Sequence, residues 1–477
     1  MFLLVKGRVK VKIRWSYSHI FEEKNPMISS INPYNGETIE QHETYSWKET
    51  EMAITRSDEA FHTWKKRPIN DRSLLFNKLA GLLKTKKKEL GELITREMGK
   101  VLRESVAEIE KCAWLCDYYA ENGPAMLESE SAPSDGTISY IQFDPIGVIY
   151  AIMPWNFPFW QVLRFAVPTI LAGNTVVLKH APNVWCCSKE IDRLFREAGF
   201  PEHVFSNLFI PVDMSENVIG HPLIQGVTLT GSQAAGRAVA SQAGKYLKKT
   251  VLELGGSDPF ILLADAEFKP ACETAVNSRM MNAGQVCIAA KRFIVEEPLI
   301  QKFTAEIKSR LEQLRMGDPM DENTDIGPMA RPDLLQNIDD QVQRSIKKGA
   351  RLLTGGRIEE DRFYTPTLLA QVSKGMPVYD EETFGPVTVI IAARDAEDAL
   401  EIANDSNFGL GASIWTTNLE LAEKMATEVN AGAVFINGMV KSDPRLPFGG
   451  TRRSGYGREL SHFGIREFTN IKTVWFK

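Results

Sequence analysis

The sequence predicts an α/β protein with two doubly wound α/β domains and a small additional β element. Two observations predict this class. Short apolar runs alternate with helical stretches through the middle of the chain, and a second series of the same kind begins near Val251. The length of 477 residues is well above the roughly 150 residues of a typical single domain, which agrees with more than one domain.

The order of the predicted elements follows from hydrophobic periodicity. Residues 48–121 are charged, with apolar side chains three and four positions apart, which predicts two or three long amphipathic helices. Residues 129–144 are polar and then alternate between apolar and polar, which predicts a β-hairpin. Helical stretches separate the later apolar runs, so we expect parallel strands with helices on both faces. The predicted strands are 147–153, 174–178 and 226–230 in the first series, and 259–263, 292–296 and 387–392 in the second.

A last predicted strand, residues 468–475, follows all of the predicted core. Its apolar residues alternate, and an exposed strand of this kind usually pairs with another strand. We expect it to pair with another subunit, the alternative being a return onto its own chain.

The composition indicates a globular protein whose partners are small molecules. The chain is 43% hydrophobic and 25% charged, with a formal net charge of −5, so there is no electrostatic case for nucleic acid or an anionic membrane surface. No run approaches the roughly 20 apolar residues of a membrane span. The cysteine spacings match no zinc site, so we predict no metal and a reducing, cytoplasmic compartment, with packing roles for most of the thiols. The cysteines are Cys112, Cys116, Cys186, Cys187, Cys272 and Cys287.

Residues 1–26 are interpreted as an N-terminal extension. Basic and apolar residues alternate in it, and its continuous apolar run, residues 2–5, is shorter than the roughly 7–15 residues of a signal-peptide core. We favour a second start at Met27, just before the first predicted structure.

A thiol and a carboxylate are the first candidates for chemistry. Cys287 ends the segment Asn282-Ala-Gly-Gln-Val-Cys287, which is a turn rather than an apolar face, although a single cysteine more often serves packing. Glu253 stands at the end of an apolar strand and is followed by paired glycines that allow close approach of another backbone or a ligand. A thiol with a carboxylate that activates it, or activates water, suits acyl chemistry.

Two further motifs follow predicted strands. Residues 153–160 are rich in aromatics and prolines; this run is either a rigid hydrophobic turn or the source of an oxyanion donor, Asn156, acting with the Cys287 backbone N–H. The run Thr230-Gly231-Ser232 opens a predicted helix, where backbone N–H groups and the helix dipole suit a phosphate. Alone, this second pattern is weak, because it lacks the G-x-G-x-x-G spacing.

In combination these motifs resemble the aldehyde dehydrogenase superfamily, over residues 27–477. The motifs that carry the resemblance are Met153-Pro-Trp-Asn-Phe-Pro158, Leu178-Lys179, Thr230-Gly-Ser232, Glu253-Leu-Gly-Gly256, Gly284-Gln-Val-Cys287, Glu381-Glu-Thr-Phe-Gly-Pro386, Pro447-Phe-Gly-Gly450 and Gly457-Arg-Glu459.

The resemblance implies a reaction. Cys287 would attack an aldehyde to give a thiohemiacetal whose oxyanion is held by Asn156 and the Cys287 backbone N–H. Loss of hydride to NAD or NADP would leave a thioester. Glu253 would activate the water that releases a free acid, and Glu459 would relay protons.

The resemblance also implies a dinucleotide site. The residue three after Lys179 is Pro182, where many NAD-preferring members carry a glutamate that repels a 2′-phosphate. Proline neither repels nor attracts that phosphate, so we expect both cofactors to be used. The implied cofactor contacts are Trp155, Lys179, Gly231, Ser232, Glu382 and Phe384.

The implied substrate is succinate semialdehyde, oxidised to succinate. Arg164 is either a surface arginine or a clamp for a distal carboxylate, which a guanidinium binds bidentately. An arginine at the same offset binds substrate in the succinate-semialdehyde dehydrogenases that the chain resembles, and Trp160 and Ser442 are further candidate contacts. The alternatives are a broad aliphatic or hydroxy-aldehyde dehydrogenase, a thiol-dependent hydrolase and a non-catalytic protein with this fold.

The resemblance finally implies a domain division and a homodimer or homotetramer. The expected units are an extension (1–26), a cofactor-binding domain (27–126 and 146–254), a catalytic domain (255–450) and an oligomerisation element (127–145 and 464–477).

Overall fold

A computed structural model describes residues 26–477 and confirms the predicted α/β class. The expected extension, apart from Pro26, lies outside the described residues. The strands are β1 (Met27–Ile31), β2 (Thr38–Glu43), β3 (Glu130–Ser131), β4 (Ile138–Pro145), β5 (Val148–Met153), β6 (Thr175–His180), β7 (Phe205–Asn207), β8 (Ile224–Thr230), β9 (Lys249–Glu253), β10 (Asp258–Leu262), β11 (Ala290–Glu296), β12 (Arg351–Thr354), β13 (Ile358–Glu359), β14 (Phe363–Tyr364), β15 (Thr367–Ala370), β16 (Val387–Ala393), β17 (Gly411–Trp415), β18 (Ala433–Ile436), β19 (Gly455–Tyr456) and β20 (Thr469–Phe476). The α-helices are α1 (Trp47–Trp64), α2 (Ile69–Met98), α3 (Leu102–Met126), α4 (Trp160–Leu171), α5 (Trp185–Glu197), α6 (Ser215–Gly220), α7 (Gln233–Lys245), α8 (Phe268–Met280), α9 (Ile300–Glu312), α10 (Pro332–Lys347), α11 (Pro377–Asp380), α12 (Ala396–Asn404), α13 (Leu419–Glu428) and α14 (Ser461–Glu467).

The first sheet has the strand order β19-β9-β8-β5-β6-β7 and is parallel except for β19. From β5 the chain adds β6 and β7 on one side, and then crosses to add β8 and β9 on the other. The direction of winding therefore reverses between β5 and β8. In open α/β sheets, ligands bind beyond the carboxyl ends of the strands at such a reversal.

The strands of this sheet are buried on both faces, which explains their continuous apolar runs. Val148 and Tyr150 join one hydrophobic cluster, whereas Ile149 and Ala151 join the cluster on the opposite face. Helix α1 supplies Ile54 to the first of these clusters, and α2 to α4 cover the second. A parallel sheet covered in this way has no solvated face, so no polar alternation is expected in its strands.

The second sheet has the order β12-β15-β16-β11-β10-β17-β18, with only β12 antiparallel to its neighbour. Phe293 and Ile294 lie in clusters on its opposite faces. Residues 254–257 alone join β9 of the first sheet to β10 of the second. This short link makes the carboxyl ends of the first sheet face the amino ends of the second.

The predicted hairpin and the predicted last strand form a third sheet, of order β20-β4-β3. β20 pairs antiparallel with β4 along its whole length, from Thr469 opposite Pro145 to Phe476 opposite Ile138. The expected pairing of this strand with another subunit is therefore wrong for the edge that meets β4, and the alternative of a return onto its own chain is found instead. The reason is that β4, also eight residues long, offers an open edge of equal length. The strand β19 also adds a piece from beyond residue 450 to the first sheet.

Two cysteines of α3 lie in the core of the first sheet. Cys112 and Cys116 are fully buried in the core beside α4, which confirms their predicted packing role, and all six cysteines are free thiols.

None of the helices in residues 26–477 is long and apolar enough to cross a membrane. Within the same residues, no group of three His, Cys, Asp or Glu side chains is arranged to hold a metal ion.

Helix α2 allows a matched test of the core. Phe76 is fully buried and its ring lies 4.9 Å from that of Phe200, whereas Leu74 on the same helix is 59% exposed. We expect Phe76→Ala to lower the free energy of unfolding by about 3–5 kcal/mol, since it removes a buried ring and leaves a cavity. Leu74→Ala is the control and should change it by under about 0.5 kcal/mol. Equal shifts of the two urea midpoints would contradict this assignment of the core.

Candidate active site

The candidate site is a cavity of about 210 Å³ between the helices that cover the first sheet and the loop that leads into the second. Its wall is formed by α3, α4, the loop before β11 and residues 439–448. Four predicted site residues, from three distant parts of the chain, come together in this wall: Trp160 and Arg164 of α4, Cys287 and Ser442.

The loop that carries Cys287 contains three consecutive residues in the left-handed region. Asn282, Ala283 and Gly284 have φ values of 52°, 52° and 72°. For a residue other than glycine this conformation costs about 1–2 kcal/mol, and asparagine tolerates it better than alanine. At Gly284 a side chain is also excluded by space, because an added Cβ would lie 2.2 Å from the Gly385 carbonyl oxygen.

Polar contacts hold this strained turn in place. The Asn282 amide donates to the backbone oxygen of Asn156 at 3.0 Å, and its backbone N–H donates to the Glu104 carboxylate at 2.8 Å. The Gln285 side chain accepts from the Ala330 backbone N–H at 3.0 Å and donates to the Asn282 oxygen at 3.1 Å. The turn is therefore fixed to both sides of the cavity.

Asn156 lies beside the same turn, just past the carboxyl end of β5. Its side-chain nitrogen donates to the Gln285 backbone oxygen at 3.0 Å. A primary amide has two N–H groups, so one remains for a ligand. Because Gln285 lies two residues before Cys287, this contact holds the Asn156 amide beside the nucleophile loop. Its role as an oxyanion donor stays a prediction.

The Cys287 thiol is protonated at neutral pH. Burial raises its pKa to about 11, although the positive charges of Arg164 and Lys291 oppose the rise. Lys291 also fixes the nucleophile's backbone, since its ammonium donates to the Cys287 carbonyl oxygen at 2.6 Å and to the Val286 oxygen at 3.0 Å. Attack on an aldehyde therefore requires a group that accepts the thiol proton.

Glu253 ends β9 and is buried next to Arg164 and Glu459. It is not one of the residues that line the cavity. Neither carboxylate oxygen has a hydrogen-bond partner among residues 26–477. Burial, and then the charge of Glu459, raise the pKa of Glu253 well above its ordinary value. An unpaired carboxylate of this kind is a strong base and gives up no hydrogen bond when its side chain turns.

Arg164 is buried, so the alternative of a surface arginine is wrong. Only 2% of its side chain is exposed, and its Nε forms an ion pair with the carboxylate of Glu459. The guanidinium also lies 4.5 Å from the centre of the Phe448 ring. Its Nη2 is buried without a hydrogen-bond acceptor in the described residues, which leaves a donor for a ligand.

The predicted cofactor residues lie where the first sheet ends. Lys179 is the second-last residue of β6, Trp155 follows β5, and Gly231 and Ser232 follow β8. The Ser232 hydroxyl caps α7 by accepting from the Ala235 N–H at 3.3 Å. Lys179 is 6% exposed, its ammonium makes no hydrogen bond or ion pair within residues 26–477, and burial lowers its pKa. A buried cation without a partner and the N-terminus of α7, both at the carboxyl edge of this sheet, fit a dinucleotide phosphate or ribose.

Two further predicted cofactor residues come from the segment before β16. The rings of Phe384 and Trp155 meet edge to face, 5.9 Å apart. The Glu382 carboxylate accepts from the Gly256 N–H at 3.0 Å and lies 4.0 Å from the Lys291 ammonium. Burial raises the pKa of Glu382, and Lys291 opposes this. The six predicted cofactor residues thus stand on both sides of the junction between the sheets.

Comparison with known proteins decides the family. The model of the aldehyde dehydrogenase family matches residues 20–474. The chain belongs to the aldehyde dehydrogenase family. It is 48% identical, over 94% of its length and 97% of the relative, to the succinate semialdehyde dehydrogenase [NAD(P)+] of Escherichia coli strain K12. It is 46% identical, over 94% and 99%, to a probable succinate-semialdehyde dehydrogenase [NADP(+)] of Synechocystis.

Solved structures of aldehyde dehydrogenases and related enzymes share the whole architecture. The succinic semialdehyde dehydrogenase of Streptococcus pyogenes in complex with NADP+ superposes with a TM-score of 0.92 at 36% identity, over 94% of this chain and 99% of that one. The predicted family and fold are both confirmed.

Sequence reasoning missed several residues of this aldehyde dehydrogenase's site. Glu104, Glu108 and Lys111 lie on the cavity side of α3. Their spacing of four and three positions places them on one helix face, but a charged face is usually solvated, so the pattern carried no functional signal. Lys291, the second residue of β11, has the sequence pattern of a basic residue that begins an ordinary strand.

The glycine of the nucleophile loop provides a test of the site. Gly284→Ala should lower kcat for aldehyde oxidation about 100-fold, because a shift of about 1 Å in a reacting group costs that much. Gly81→Ala is the control, since an added Cβ there meets nothing within 4 Å. Circular dichroism should show both variants folded. A Gly284→Ala enzyme with unchanged kcat would disprove the tight placement of the loop.

Proposed function

We propose that this aldehyde dehydrogenase oxidises succinate semialdehyde to succinate with NAD or NADP. The observation that carries the proposal is the buried guanidinium of Arg164 in the cavity of Cys287, with a donor left for a carboxylate. The names of the Escherichia coli and Synechocystis relatives support the same substrate and both cofactors.

The proposed reaction begins at Cys287. Its thiol proton passes to Glu253, once that unpaired carboxylate turns toward the cavity, and the sulfur attacks the aldehyde carbon. The resulting oxyanion accepts hydrogen bonds from the free N–H of the Asn156 amide and from the Cys287 backbone N–H. Such preorganised donors stabilise negative charge where it develops. A bound oxidised dinucleotide would supply the hydride acceptor, and the thiohemiacetal on Cys287 would then become a thioester by loss of hydride.

Hydrolysis uses Glu253 a second time, after the thiol proton has left it through Glu459. The carboxylate takes a proton from water, and the hydroxide attacks the thioester carbon, releasing succinate and the Cys287 sulfur. Its raised pKa makes Glu253 a stronger base than an exposed glutamate. Glu459 lies next to it, its own pKa raised by burial, and is the proposed relay for protons leaving the site.

The cofactor contacts are proposed from the groups at the carboxyl ends of the first sheet and in the segment before β16. Lys179 and Glu382 would hold the two riboses, Gly231 and Ser232 the pyrophosphate, and Phe384 the nicotinamide, as the family resemblance implies. The resemblance places Trp155 at the adenosine, but its ring meets that of Phe384, so we propose that it contacts the same end of the dinucleotide as Phe384. Pro182, three residues after Lys179, places no carboxylate where a 2′-phosphate would lie. This supports the use of NADP as well as NAD.

The third sheet is the proposed oligomerisation element, for a homodimer or homotetramer. β20 is an edge strand of that sheet and exposes Ile471, Trp475 and Phe476. Exposed apolar side chains along an open edge favour a further protein contact.

The substrate proposal is tested by the preference between two aldehydes. For Arg164→Gln, we expect the ratio of kcat/KM for succinate semialdehyde to kcat/KM for butanal to fall about 100-fold, since a buried charged hydrogen bond is worth roughly 2–3 kcal/mol. The ratio is the readout because the loss of the ion pair to Glu459 harms the oxidation of both aldehydes alike. An unchanged ratio would instead favour a broad aliphatic aldehyde dehydrogenase.

A further inference from the structure

A second cation, Lys111, faces the cavity from α3. Its ammonium donates to the Ser442 hydroxyl at 2.8 Å and lies 4.1 Å from the centre of the Trp160 ring. These two contacts hold it in the wall that also carries Arg164 and Cys287. Neither contact neutralises its charge.

The acids close to Lys111 are engaged with other donors. Glu108 accepts from the backbone N–H groups of Phe159 and Trp160, both at 2.9 Å, and from Lys100 at 2.5 Å. Asp443 is paired with the guanidinium of Arg445 at 2.7 Å. Within residues 26–477, Lys111 forms no ion pair.

Arg164 is in the opposite situation, because Glu459 balances its charge. The pair of Arg164 and Glu459 is therefore neutral as a whole. Two lysines of this wall, Lys111 and Lys441, form no ion pair within residues 26–477, but Lys441 is exposed to solvent. Lys111 is the one that Ser442 and the Trp160 ring hold toward the cavity. A substrate that brings one carboxylate would supply its counter-ion.

We propose that Lys111 is a specificity-determining residue, which binds the distal carboxylate of the semialdehyde together with Arg164. The inference rests on the proposed function in one respect, namely that the substrate carries a carboxylate. Ser442 then acts mainly by positioning the ammonium, and the Trp160 ring stabilises it through its π face.

The titration of Lys111 gives the proposal a distinctive signature. Burial, and then the charge of Arg164, lower the pKa of Lys111 to about 8. The ammonium is therefore present below pH 8 and is lost above it, so attraction for a carboxylate weakens as the pH rises. The charged and titratable groups that face it are Glu104, Glu108 and Cys112 from α3, Arg164 from α4, Cys287 from the loop before β11, and Lys441 and Asp443 from residues 439–448.

The experiment measures kcat/KM for succinate semialdehyde and for butanal from pH 7 to pH 9, in wild type, Lys111→Met and Lys111→Arg. The ratio of the two constants removes effects common to both aldehydes, including the titration of Cys287. In wild type the ratio should fall about tenfold over this range, as the ammonium with pKa near 8 loses its proton. Lys111→Arg should keep a high ratio at both ends, because a guanidinium stays protonated. Lys111→Met should have a low ratio that does not depend on pH.

Lys87→Met is the matched control, since Lys87 is an exposed lysine of α2 paired with Glu110; its ratio should follow that of wild type. The proposal is overturned if Lys111→Met keeps the wild-type ratio, or if Lys111→Arg keeps the wild-type fall with pH. The second comparison decides the question even if Lys111→Met fails to fold. If Arg164→Gln lowers the ratio and the Lys111 variants do not, the proposed substrate stands and the role of Lys111 fails. If none of the variants changes it, the substrate proposal fails as well.

Discussion

The left-handed turn of Asn282, Ala283 and Gly284 decides where the Cys287 thiol lies, and the other groups of the site are arranged about that point. Two non-glycine residues in this conformation are unfavourable by about 1–2 kcal/mol each, so the turn persists only because its surroundings hold it. The holding groups come from different parts of the chain: Glu104 on α3, Asn156 after β5 and Ala330 before α10. The nucleophile's position is thus a property of the junction between two sheets rather than of one loop.

The second constraint is the number of charges buried at this junction. Removing a charged group from water costs several kcal/mol unless a partner compensates. Lys100 with Glu108, and Arg164 with Glu459, are buried pairs that meet this requirement. Lys179 and Glu253 are buried without a partner among the described residues. Unbalanced groups of this kind mark the places where cofactor, substrate and water would complete the structure.

Much of the fold could be predicted because its strands are covered on both faces, so each appears in the sequence as a short apolar run. The motifs around Asn156, Glu253 and Cys287 could be predicted as well, since their glycines and prolines mark turns at strand ends. The contribution of Lys111 could not, because the charged face of α3 has the same spacing whether it meets water or a cavity. The left-handed conformation of Ala283 also has no local signal, since tertiary contacts impose it. Which edge β20 would pair with depended on the position of β4, more than 300 residues earlier in the chain and invisible to local patterns.

The central claim is that Cys287 carries the acyl group of a semialdehyde and that Glu253 directs its hydrolysis. The direct measurement is peptide mass spectrometry of Glu253→Gln enzyme, incubated with succinate semialdehyde and NADP and then denatured. A slower first step does not prevent the outcome, because the acyl group accumulates when hydrolysis is blocked. The account predicts a succinyl group on the peptide that contains Cys287, and none on the peptide that contains Cys272. Formation of reduced cofactor with Cys287 unmodified would contradict it.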